Sequence, residues 1–416
     1  CTDAARDSGK SLVDAAMGEL FPVCEKIRYL LANGEADLRP EPRSPGILVH
    51  KRARVEFQPL GVIGVLCPWN FPFHNIFCPL VPALFAGNAV VCKASEWTSR
   101  SARYFEGLIQ RTLIDCGHDP ALAQVLTGDG STGAALVGCV DKVFFTGSPQ
   151  NGRRVMATAS ETLTPVVLEL GGKDAMIICD DANLDQAAAS AMLGVFTACG
   201  QMCVAAERLY VFEAVYDEFV RRVSERVAAF RQGPPTDDPG GRYDVGAMTM
   251  PRQLEIIEAQ IADAVAKGAR ALVGGRRNPD LRGQFFQPTV LVDVDHSMRI
   301  AREETFGPVM TIVKVSGEAE AVRLANDCAY GLGSSVFAGK STAKSIADKL
   351  RAGMTAVNAV MAFSGIPSLP FGGVGDHLGG GDPPPVDPLE HLLLAGCKAG
   401  QVAVELLHSS PVSRAG

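Results

Sequence analysis

Cys203 is the residue whose surroundings best suit covalent chemistry. The chain has 12 cysteines, and a cysteine taken alone is usually a small buried core residue. The segment FTACGQMC (196–203) places Cys203 after a glycine-containing break at the end of a small-residue helix, where its side chain can project into a cleft. A thiolate there could attack a carbonyl carbon and hold the acyl group as a thioester. Cys199, one helical turn earlier, is better explained by packing or by oxidative pairing than as a second nucleophile.

Two polar residues could assist a thioester. Glu169 lies at the end of the apolar run VVLELGG, where a buried carboxylate is costly to ionise, which would suit a general base. A carboxylate satisfied by neighbouring backbone donors explains that pattern equally well. Asn70 lies between the two prolines of PWNFP (68–72). Its amide could donate to an oxyanion, or simply to the turn itself, and both alternatives stay open on these residues alone.

Two further segments could contact a nucleotide. TGSPQNG (146–152) predicts a strand, a glycine turn and a helix start, whose backbone N–H groups could face a pyrophosphate. KASE (93–96) directly follows an apolar run, so Lys93 and Glu96 could both hydrogen-bond an adenosine ribose. The glycine pattern is not GxGxxG and is weak. A solvated helix start with Glu96 in its first turn explains KASE at least as well.

The elements around these residues predict an α/β fold. From Val55 to Gly172, apolar runs such as GVIGVL (61–66) and NAVVCK (88–93) alternate with helical stretches. That alternation is typical of βαβ units and a parallel, doubly wound sheet, which binds nucleotides at the carboxyl ends of its strands. A second α/β stretch runs from Ala175 to about Asn358. Its strand candidates are AMIIC, ERLYVF, RALVGG, FQPTVLVDV and VMTIVKV.

Two segments lie outside these blocks. ILVHKRARVEF (47–57) alternates with period two, which predicts a strand of a half-exposed hairpin. The tail contains the breaker cluster GGGDPPPVDP. For the LEHLLLAGCKAGQVAVELL segment that follows (389–407) we predict one amphipathic helix.

Composition limits the kind of protein. With 416 residues, 47% of them hydrophobic and 20% charged, the chain is typical of a globular protein of more than one domain. A net charge of −7 gives no cationic surplus for nucleic acid, and no apolar run reaches the ~18 residues of a membrane span. The cysteines show neither CxxC pairs nor zinc-site spacing, so we expect no metal. So many scattered thiols favour the cytoplasm or another reducing compartment.

In combination, the motifs resemble the aldehyde dehydrogenase superfamily, of the hydrolytic, non-acylating type. The resemblance covers roughly residues 1–375, and its Glu-Leu-Gly-Gly and Gly-Gln-x-Cys signatures are highly specific. It implies a Rossmann-like, doubly wound cofactor domain, a second α/β catalytic domain and a small β-hairpin for oligomerisation. The motifs, in order, are PWNFP (68–72), KASE (93–96), FTGS (145–148), LELGGK (168–173), FTACGQMC (196–203), EETFGP (303–308) and PFGG (370–373).

The resemblance also implies how the chain is divided. The NAD(P)-binding domain is expected over 1–40 and 60–171, the oligomerisation hairpin over 41–59, the catalytic domain over 172–375 and a divergent tail over 376–416. We expect a homodimer or homotetramer assembled through the hairpin.

The same resemblance implies the catalytic roles. Cys203 would be the nucleophile that forms a thiohemiacetal with a small-molecule aldehyde, and a thioester once hydride has passed to the cofactor. Asn70, with the backbone N–H of Cys203, would form the oxyanion hole. Glu169 would activate the water that hydrolyses the thioester to a carboxylic acid.

The resemblance assigns cofactor contacts as well. Lys93 and Glu96 would bind the adenosine ribose, Gly147 and Ser148 the pyrophosphate, and Trp69 would form part of the cofactor wall. NAD+ is the expected cofactor, with NADP+ possible, because the Glu96 carboxylate repels a 2′-phosphate.

Four further residues belong to the expected cofactor set. Gly152 and Leu170 complete its contacts, while Glu304 and Phe306 would position the nicotinamide ribose and ring. The candidate substrate-pocket residues mix aromatic, polar and small groups and identify no aldehyde. They are Phe71, His74, Asn75, Cys78, Met202 and Phe363. No Arg lies beside Cys203 or in PWNFP, which disfavours a dicarboxylic semialdehyde.

The chain departs from the family pattern at both ends. It starts at Cys1 in what looks like the middle of a helix, so we expect upstream helices and any targeting segment to be missing. After PFGG (370–373), DHLGG (376–380) and a proline cluster replace the family's Ser-Gly-x-Gly-Arg run and final strand. A non-catalytic structural or binding relative is therefore one alternative. A CoA-acylating aldehyde dehydrogenase is another, disfavoured by Glu169 because that branch usually lacks the general base.

Overall fold

The N-terminal part of the chain is a series of short helical segments. The computed structural model describes residues 1–237, 241–375 and 397–406. Gly9 takes a left-handed conformation (φ 75°) that ends the first helix, and the Ser11 hydroxyl caps the second by accepting from the N–H of Asp14. A one-turn π-helix over Ala16–Leu20 leads into the third. The α-helices here are α1 (Thr2–Ser8), α2 (Leu12–Ala15) and α3 (Phe21–Asp37).

The hairpin expected near residue 50 is present, but its second strand begins later than the period-two pattern indicated. β1 (Glu41–Arg43) pairs antiparallel with β2 (Lys51–Pro59). Residues 47–50 are not in a strand, because Gly46 (φ 58°) and the hydrogen bond from Leu48 N–H to the Pro45 carbonyl close a turn there.

The first α/β block forms a five-stranded parallel sheet. Its strands are β3 (Val62–Leu66), β4 (Ala89–Ser95), β5 (Ala123–Gly128), β6 (Lys142–Thr146) and β7 (Val166–Glu169), in the order β5–β4–β3–β6–β7. Right-handed crossovers are the rule for parallel strands joined by helices. The helices are α4 (Pro72–Phe85), α5 (Ser99–Asp115), α6 (Gly130–Val137) and α7 (Pro149–Thr162).

The second block forms a seven-stranded sheet in the order β10–β11–β12–β9–β8–β13–β14. All neighbours are parallel except the edge pair β10–β11, which is antiparallel. Its strands are β8 (Asp174–Ile178), β9 (Ala206–Phe212), β10 (Arg270–Val273), β11 (Thr289–Val292), β12 (Val309–Val315), β13 (Gly333–Phe337) and β14 (Met354–Val357). Its helices are α8 (Leu184–Phe196), α9 (Glu213–Ala228), α10 (Pro251–Ala266), α11 (Glu318–Asn326) and α12 (Lys340–Ala347).

Burial explains why the central strands are continuous apolar runs. Every residue of β8 and of β13 is buried, since helices cover both faces of a parallel sheet. The carboxyl ends of β7 and β4 instead carry Glu169 and Lys93. Polar residues at those positions lie at the edge where a parallel sheet binds ligands.

The helix predicted for the tail is wrong over residues 397–406. There β15 (Cys397–Leu406) pairs antiparallel with β2, with Val402 opposite Val55, and completes a three-stranded sheet. The free edge of β2 offers N–H and C=O groups that a strand satisfies and a helix would leave unpaired. The QVAVEL segment also alternates with period two, so periodicity alone did not separate the two structures. Residues 389–396 of the predicted helix lie outside the described residues.

Candidate active site

A left-handed turn delivers Cys203 to the site. α8 ends at Phe196, and Ala198–Gly200 then have φ between 50° and 70°. Such backbone costs roughly 1–2 kcal/mol per non-glycine residue, so other contacts must hold it. Gln201 supplies two, since both its backbone N–H and its side-chain amide donate to the Ala198 carbonyl at 3.1 and 3.0 Å. The predicted break thus exists, and it leaves Cys203 half-buried on a cleft.

The two neighbouring cysteines differ in exposure. Cys199 is fully enclosed in the core of the second sheet, which agrees with a packing role. Burial raises the pKa of the Cys203 thiol well above its ordinary value, and the charges of Glu169, Asp174 and Glu304 raise it further. Because the thiolate is the nucleophilic form, Cys203 rests at neutral pH as the unreactive thiol.

Asn70 lies against the nucleophile turn. Its Nδ2 donates to the backbone carbonyl of Gln201 at 3.0 Å, two residues before Cys203. Its Oδ1 accepts from Nδ2 of Asn75 at 3.1 Å, which fixes the orientation of the amide. The other Nδ2 hydrogen has no partner among the described residues, and a donor held in this way is suited to an oxyanion. The amide therefore does more than bond its own turn.

Two glycines bring the Glu169 strand up to the backbone of Cys203. Glu169 ends β7 and lines the same cleft as Cys203. A Cβ on Gly171 would lie 2.6 Å from the Glu304 carboxylate, and one on Gly172 would overlap the backbone carbonyl of Cys203. Only glycine fits at position 172, because the neighbour there is main chain, whereas a side chain at position 171 would displace the Glu304 carboxylate.

The Glu304 carboxyl lies against both glycines. Its Oε1 accepts the backbone N–H of Gly172 at 3.0 Å. Burial raises the pKa of Glu304 to about 8, and the charge of Glu207 is the next contribution. At neutral pH this carboxyl is therefore mostly protonated.

Lys93 and Glu96 line another part of the cleft. β4 continues to Ser95, so Lys93 belongs to the strand rather than following it. Lys93 Nζ lies 3.9 Å from the Glu96 carboxylate, and Lys93 is buried whereas Glu96 is exposed. An exposed anion beside a sheltered cation can accept from ribose hydroxyls while the cation donates to them.

The turn after β6 presents a helix N-terminus to the cleft. The Ser148 hydroxyl caps α7 by accepting from the N–H of Asn151 at 3.4 Å. Gly147 and Ser148 line the cleft, as does Leu170. Gly152 lies one layer behind, where a Cβ would meet the Leu170 side chain at 2.7 Å. The structure therefore gives Gly152 a packing contact with the cleft wall rather than a place on it.

Trp69 and Phe306 pack edge to face on the cleft wall. Their ring centroids are 5.6 Å apart and the rings are nearly perpendicular. Phe306 has φ 51°, so it is held in left-handed backbone. An edge-to-face pair of this kind stabilises both side chains and joins the two loops that carry them.

The predicted pocket residues all line the cleft, and the side chains there are mostly uncharged. Burial lowers the pKa of His74 to about 4 and raises the pKa of Cys78 to about 12, and the two side chains lie 3.5 Å apart. Lys26, which the sequence analysis did not select, adds a cation on this wall and donates to the Pro367 carbonyl at 3.4 Å.

The residues present fit a dinucleotide together with a second small molecule. The cleft has a volume of about 1680 Å³, above the range of roughly 300–1,000 Å³ usual for small-molecule sites. Its lining includes a helix N-terminus, a Lys–carboxylate pair, the Trp69 and Phe306 rings and the thiol of Cys203. Gly147 keeps the turn close to the cleft, because a Cβ there would meet the ring of Phe145 at 2.6 Å.

Two other kinds of site were sought in the same part of the chain. Among the residues described, no group of three or more His, Cys, Asp or Glu side chains is arranged to hold a metal ion. No helix within the described ranges has the length and apolar character that crossing a membrane requires.

This arrangement brings a thiol, an amide donor and a carboxylate onto one cleft that fits a dinucleotide, as a dehydrogenase requires. The sequence profile of the aldehyde dehydrogenase family matches residues 3–383, and the chain belongs to that family. It is 40% identical over 377 residues to the putative aldehyde dehydrogenase-like protein C21C3 of Schizosaccharomyces pombe, a match that covers 89% of this chain and 72% of that one.

Two solved structures are similar to it throughout. Betaine aldehyde dehydrogenase from Staphylococcus aureus, in complex with NAD+, is 30% identical with a TM-score of 0.85, and the match covers 100% of this chain and 80% of that one. Succinic semialdehyde dehydrogenase from Streptococcus pyogenes, with NADP+ as cofactor, is 29% identical with a TM-score of 0.86 and coverage of 96% and 84%. The predicted α/β fold class and the predicted class of NAD(P)+-dependent aldehyde oxidation are confirmed.

Proposed function

We propose that this chain oxidises an aldehyde to the carboxylic acid through a thioester on Cys203, with Glu169 as the base that hydrolyses it. The observation that carries the proposal is the Asn70 amide, hydrogen-bonded to the carbonyl two residues before Cys203, in a cleft that Glu169 also lines. From one cleft, the Cys203 thiol could attack a carbonyl carbon, the Asn70 amide could bind its oxygen and the Glu169 carboxylate could activate a water.

The first step makes a covalent bond. Cys203 Sγ attacks the aldehyde carbon, the thiol proton leaves to solvent or a nearby base, and the carbonyl oxygen becomes an oxyanion. The second N–H of the Asn70 amide and the backbone N–H of Cys203 donate to that oxygen. Donors already fixed before the reaction stabilise the developing charge without reorganising.

The second step oxidises the carbon. NAD(P)+, when it is bound, supplies the hydride acceptor. The residues proposed to hold it are Trp69, Lys93, Glu96, Gly147, Ser148, Leu170, Glu304 and Phe306. All eight residues line the cleft. Gly152 supports Leu170 from behind.

The third step releases the acid. Glu169 takes a proton from water, the hydroxide adds to the thioester carbon, and the C–S bond breaks. The Cys203 sulfur leaves as thiolate and is reprotonated. Burial favours the neutral thiol at that point, so the resting state is restored.

Turnover with NAD+ and a panel of aliphatic and aromatic aldehydes tests this proposal. We expect NADH formation by the wild type, none by Cys203→Ser, and in Glu169→Gln an acyl-enzyme burst followed by slow turnover. If the folded wild type forms no NADH with any aldehyde of the panel, enzymatic activity would be excluded and a binding or structural role would be favoured. Turnover that requires added CoA would instead identify the acylating branch.

We also propose NAD+ as the preferred cofactor, since the Glu96 carboxylate is exposed on the cleft wall and would repel a 2′-phosphate. In Glu96→Gln, the ratio of kcat/KM with NADP+ to that with NAD+ should rise about tenfold, because one repulsive charge is removed. Glu161→Gln, on the exposed face of α7, is the matched control. An unchanged ratio in Glu96→Gln would exclude this assignment.

For assembly and location we propose a homodimer or homotetramer in the cytoplasm or another reducing compartment. The antiparallel β1–β2 hairpin, whose connecting turn exposes Ile47 and Val49, supports contact between copies. The cysteines within residues 1–375 of the described structure are free thiols, which supports a reducing environment. Light scattering of the protein and of an Ile47→Ser/Val49→Ser variant would test the assembly. A single-copy mass for the wild type would disprove it.

A further inference from the structure

Two buried Lys–Glu pairs lie behind the catalytic cleft. Lys10 Nζ is 2.7 Å from Glu19, with the side chains 1% and 2% exposed, and Lys173 Nζ is 2.5 Å from Glu207, at 0% and 4%. Burying an ion pair is seldom stabilising in itself, because desolvation offsets the attraction. Two such pairs are therefore better explained by the other groups that they bind.

The first pair holds both ends of the loop that carries Asn70. Lys10 Nζ donates to the backbone carbonyl of Asn70 at 2.6 Å. Glu19 accepts the backbone N–H groups of Phe73 and His74, at 2.6 and 3.2 Å, in the first turn of α4. A carboxylate at a helix N-terminus is favourably placed, and here it also fixes where the loop ends.

The local structure explains how Lys10 and Glu19 reach this loop together. They are nine residues apart, on either side of α2, and the π-turn over Ala16–Leu20 carries Glu19. A single turn of π-helix shifts the helical register of the residues that follow it, and such segments often occur at functional sites. The Lys10 ammonium also lies 3.6 Å from the centre of the Phe71 ring, inside the same loop.

The second pair holds the loop that carries Phe306 in the same way. Lys173 Nζ donates to the Thr305 hydroxyl at 2.9 Å. Glu207 accepts the backbone N–H groups of Thr305 and Phe306, at 2.7 and 2.8 Å. In each pair, then, the carboxylate accepts two successive backbone N–H groups and the ammonium donates to an oxygen, all within one short stretch of chain.

We propose that Lys10–Glu19 and Lys173–Glu207 are positioning pairs, one for each of the two loops that meet at Cys203. The first pair sets the Asn70 amide and so governs formation of the thiohemiacetal. The second sets Phe306 and Glu304 and so governs cofactor binding. The inference rests on the proposed function, since it assigns the pairs to steps of that reaction.

Variants of the two pairs should fail in different ways. We expect Lys10→Met and Glu19→Gln to slow the NADH burst about 10- to 100-fold, because a displaced oxyanion donor costs that much. The Kd of NAD+ should rise less than in the variants of the second pair, since Trp69 is the one proposed cofactor contact in this loop. Lys173→Met and Glu207→Gln should weaken NAD+ binding about tenfold or more. Both tryptophans of the chain, Trp69 and Trp97, line the cleft, so fluorescence quenching reports that binding. Glu218→Gln, in an exposed ion pair on α9, is the control.

The double variant Lys10→Met/Glu19→Gln separates positioning from stability. Removing one partner leaves a buried charge unpaired, whereas removing both does not. The Tm of the double variant should therefore exceed that of Lys10→Met. Its burst should stay slow, because the loop has still lost its contacts. A burst that recovers together with Tm would mean that the pair acts only through stability, and would overturn the proposal.

Amide hydrogen exchange tests the positioning without turnover. In Glu19→Gln the amides of Phe73 and His74 should exchange faster, with those of Thr305 and Phe306 unchanged, and Glu207→Gln should show the reverse. Equal effects on both loops, or none, would contradict separate roles. Wild type that makes no NADH would refute the proposed function, and exchange and NAD+ binding would then still decide whether each pair holds its own loop.

Discussion

The side-chain amide of Asn70 is joined to the backbone carbonyl of Gln201 by a hydrogen bond of 3.0 Å. The bond connects the loop after β3 to the left-handed turn before Cys203, two segments that are 131 residues apart in sequence. The proposed oxyanion donor and the proposed nucleophile are therefore positioned relative to each other directly, and not only through the sheets that carry them.

Loss of the Asn70 amide should slow the chemical step more than loss of its support. Asn70→Ala removes one oxyanion donor, which typically costs about 10²- to 10³-fold in kcat. Asn75→Ala leaves the donor in place but frees its orientation, so we expect about a tenfold loss. Pre-steady-state NADH formation measures both, with Asn33→Ala on the exposed face of α3 as control. Equal losses in the two cleft variants would contradict the division of roles.

Removing the Glu169 charge should make Cys203 more reactive before substrate binds. Burial and then the Glu169 charge raise the pKa of Cys203, so Glu169→Gln lowers that pKa and increases the thiolate fraction at any given pH. We expect iodoacetamide to label Cys203 several-fold faster at pH 8, as measured by peptide mass. Glu303→Gln, at an exposed position beside Glu304, should leave the rate unchanged. Slower labelling in Glu169→Gln would show that Glu169 deprotonates the thiol in the free protein.

NAD+ binding should depend on the protonation of Glu304. Its pKa is raised to about 8, so the carboxylate that would accept ribose hydroxyls forms only as pH rises through that value. The Kd of NAD+ should fall by up to about tenfold per pH unit below 8 and level off above it, as for one linked proton. Glu304→Gln should bind weakly at every pH. A variant that kept the wild-type profile would exclude Glu304.

The same shift has a consequence for stability with a definite sign. A carboxyl with a folded-state pKa above its unfolded value of 4.5 retains its proton when folded after the unfolded chain has lost it. Its contribution is therefore largest at low pH and is lost as pH rises from about 4.5 to 8. Glu304→Gln should flatten the pH dependence of the free energy of unfolding in that window, as chemical denaturation can measure.

Gly172→Ala should abolish most activity. Its Cβ would overlap the Cys203 carbonyl, so the nucleophile turn or the Glu169 strand must shift, and a displacement near 1 Å costs about 10²-fold. Tm should also fall. Gly107→Ala is the contrast, because Gly107 lies in α5 with nothing within 4 Å of its would-be Cβ. That variant should gain roughly 0.5–1 kcal/mol. Similar activity in both variants would contradict the close approach.

The central strands could be predicted because their burial makes them unbroken apolar runs. β3 and β4 follow the apolar runs GVIGVL and NAVVCK, and the parallel α/β class is confirmed. β13 and β14 were missed. GSSVF and MTAV contain glycine, serine and threonine, and only the neighbouring strands and covering helices make them strands.

At the site, the order of the motifs predicts Cys203, Asn70 and Glu169 as the catalytic residues, and the structure brings all three to one cleft. Lys10 and Glu19 gave no such signal, because nine residues is neither a helical nor a strand period and their meeting depends on the π-turn. Glu207 lies on the buried strand β9, and nothing local shows that it binds a loop nearly a hundred residues later.

The protonated resting state of Cys203 also bears on how the molecule withstands peroxide. Sulfenic acid forms from the thiolate, and further oxidation to sulfinic and sulfonic acids is irreversible in most proteins. Burial and neighbouring carboxylates keep Cys203 as the thiol, whereas Cys24 and Cys116 are exposed on the surface. Surface thiols are therefore more accessible to oxidants in solution than Cys203 is, and the thiol form limits oxidation of Cys203 in the intervals between substrate molecules.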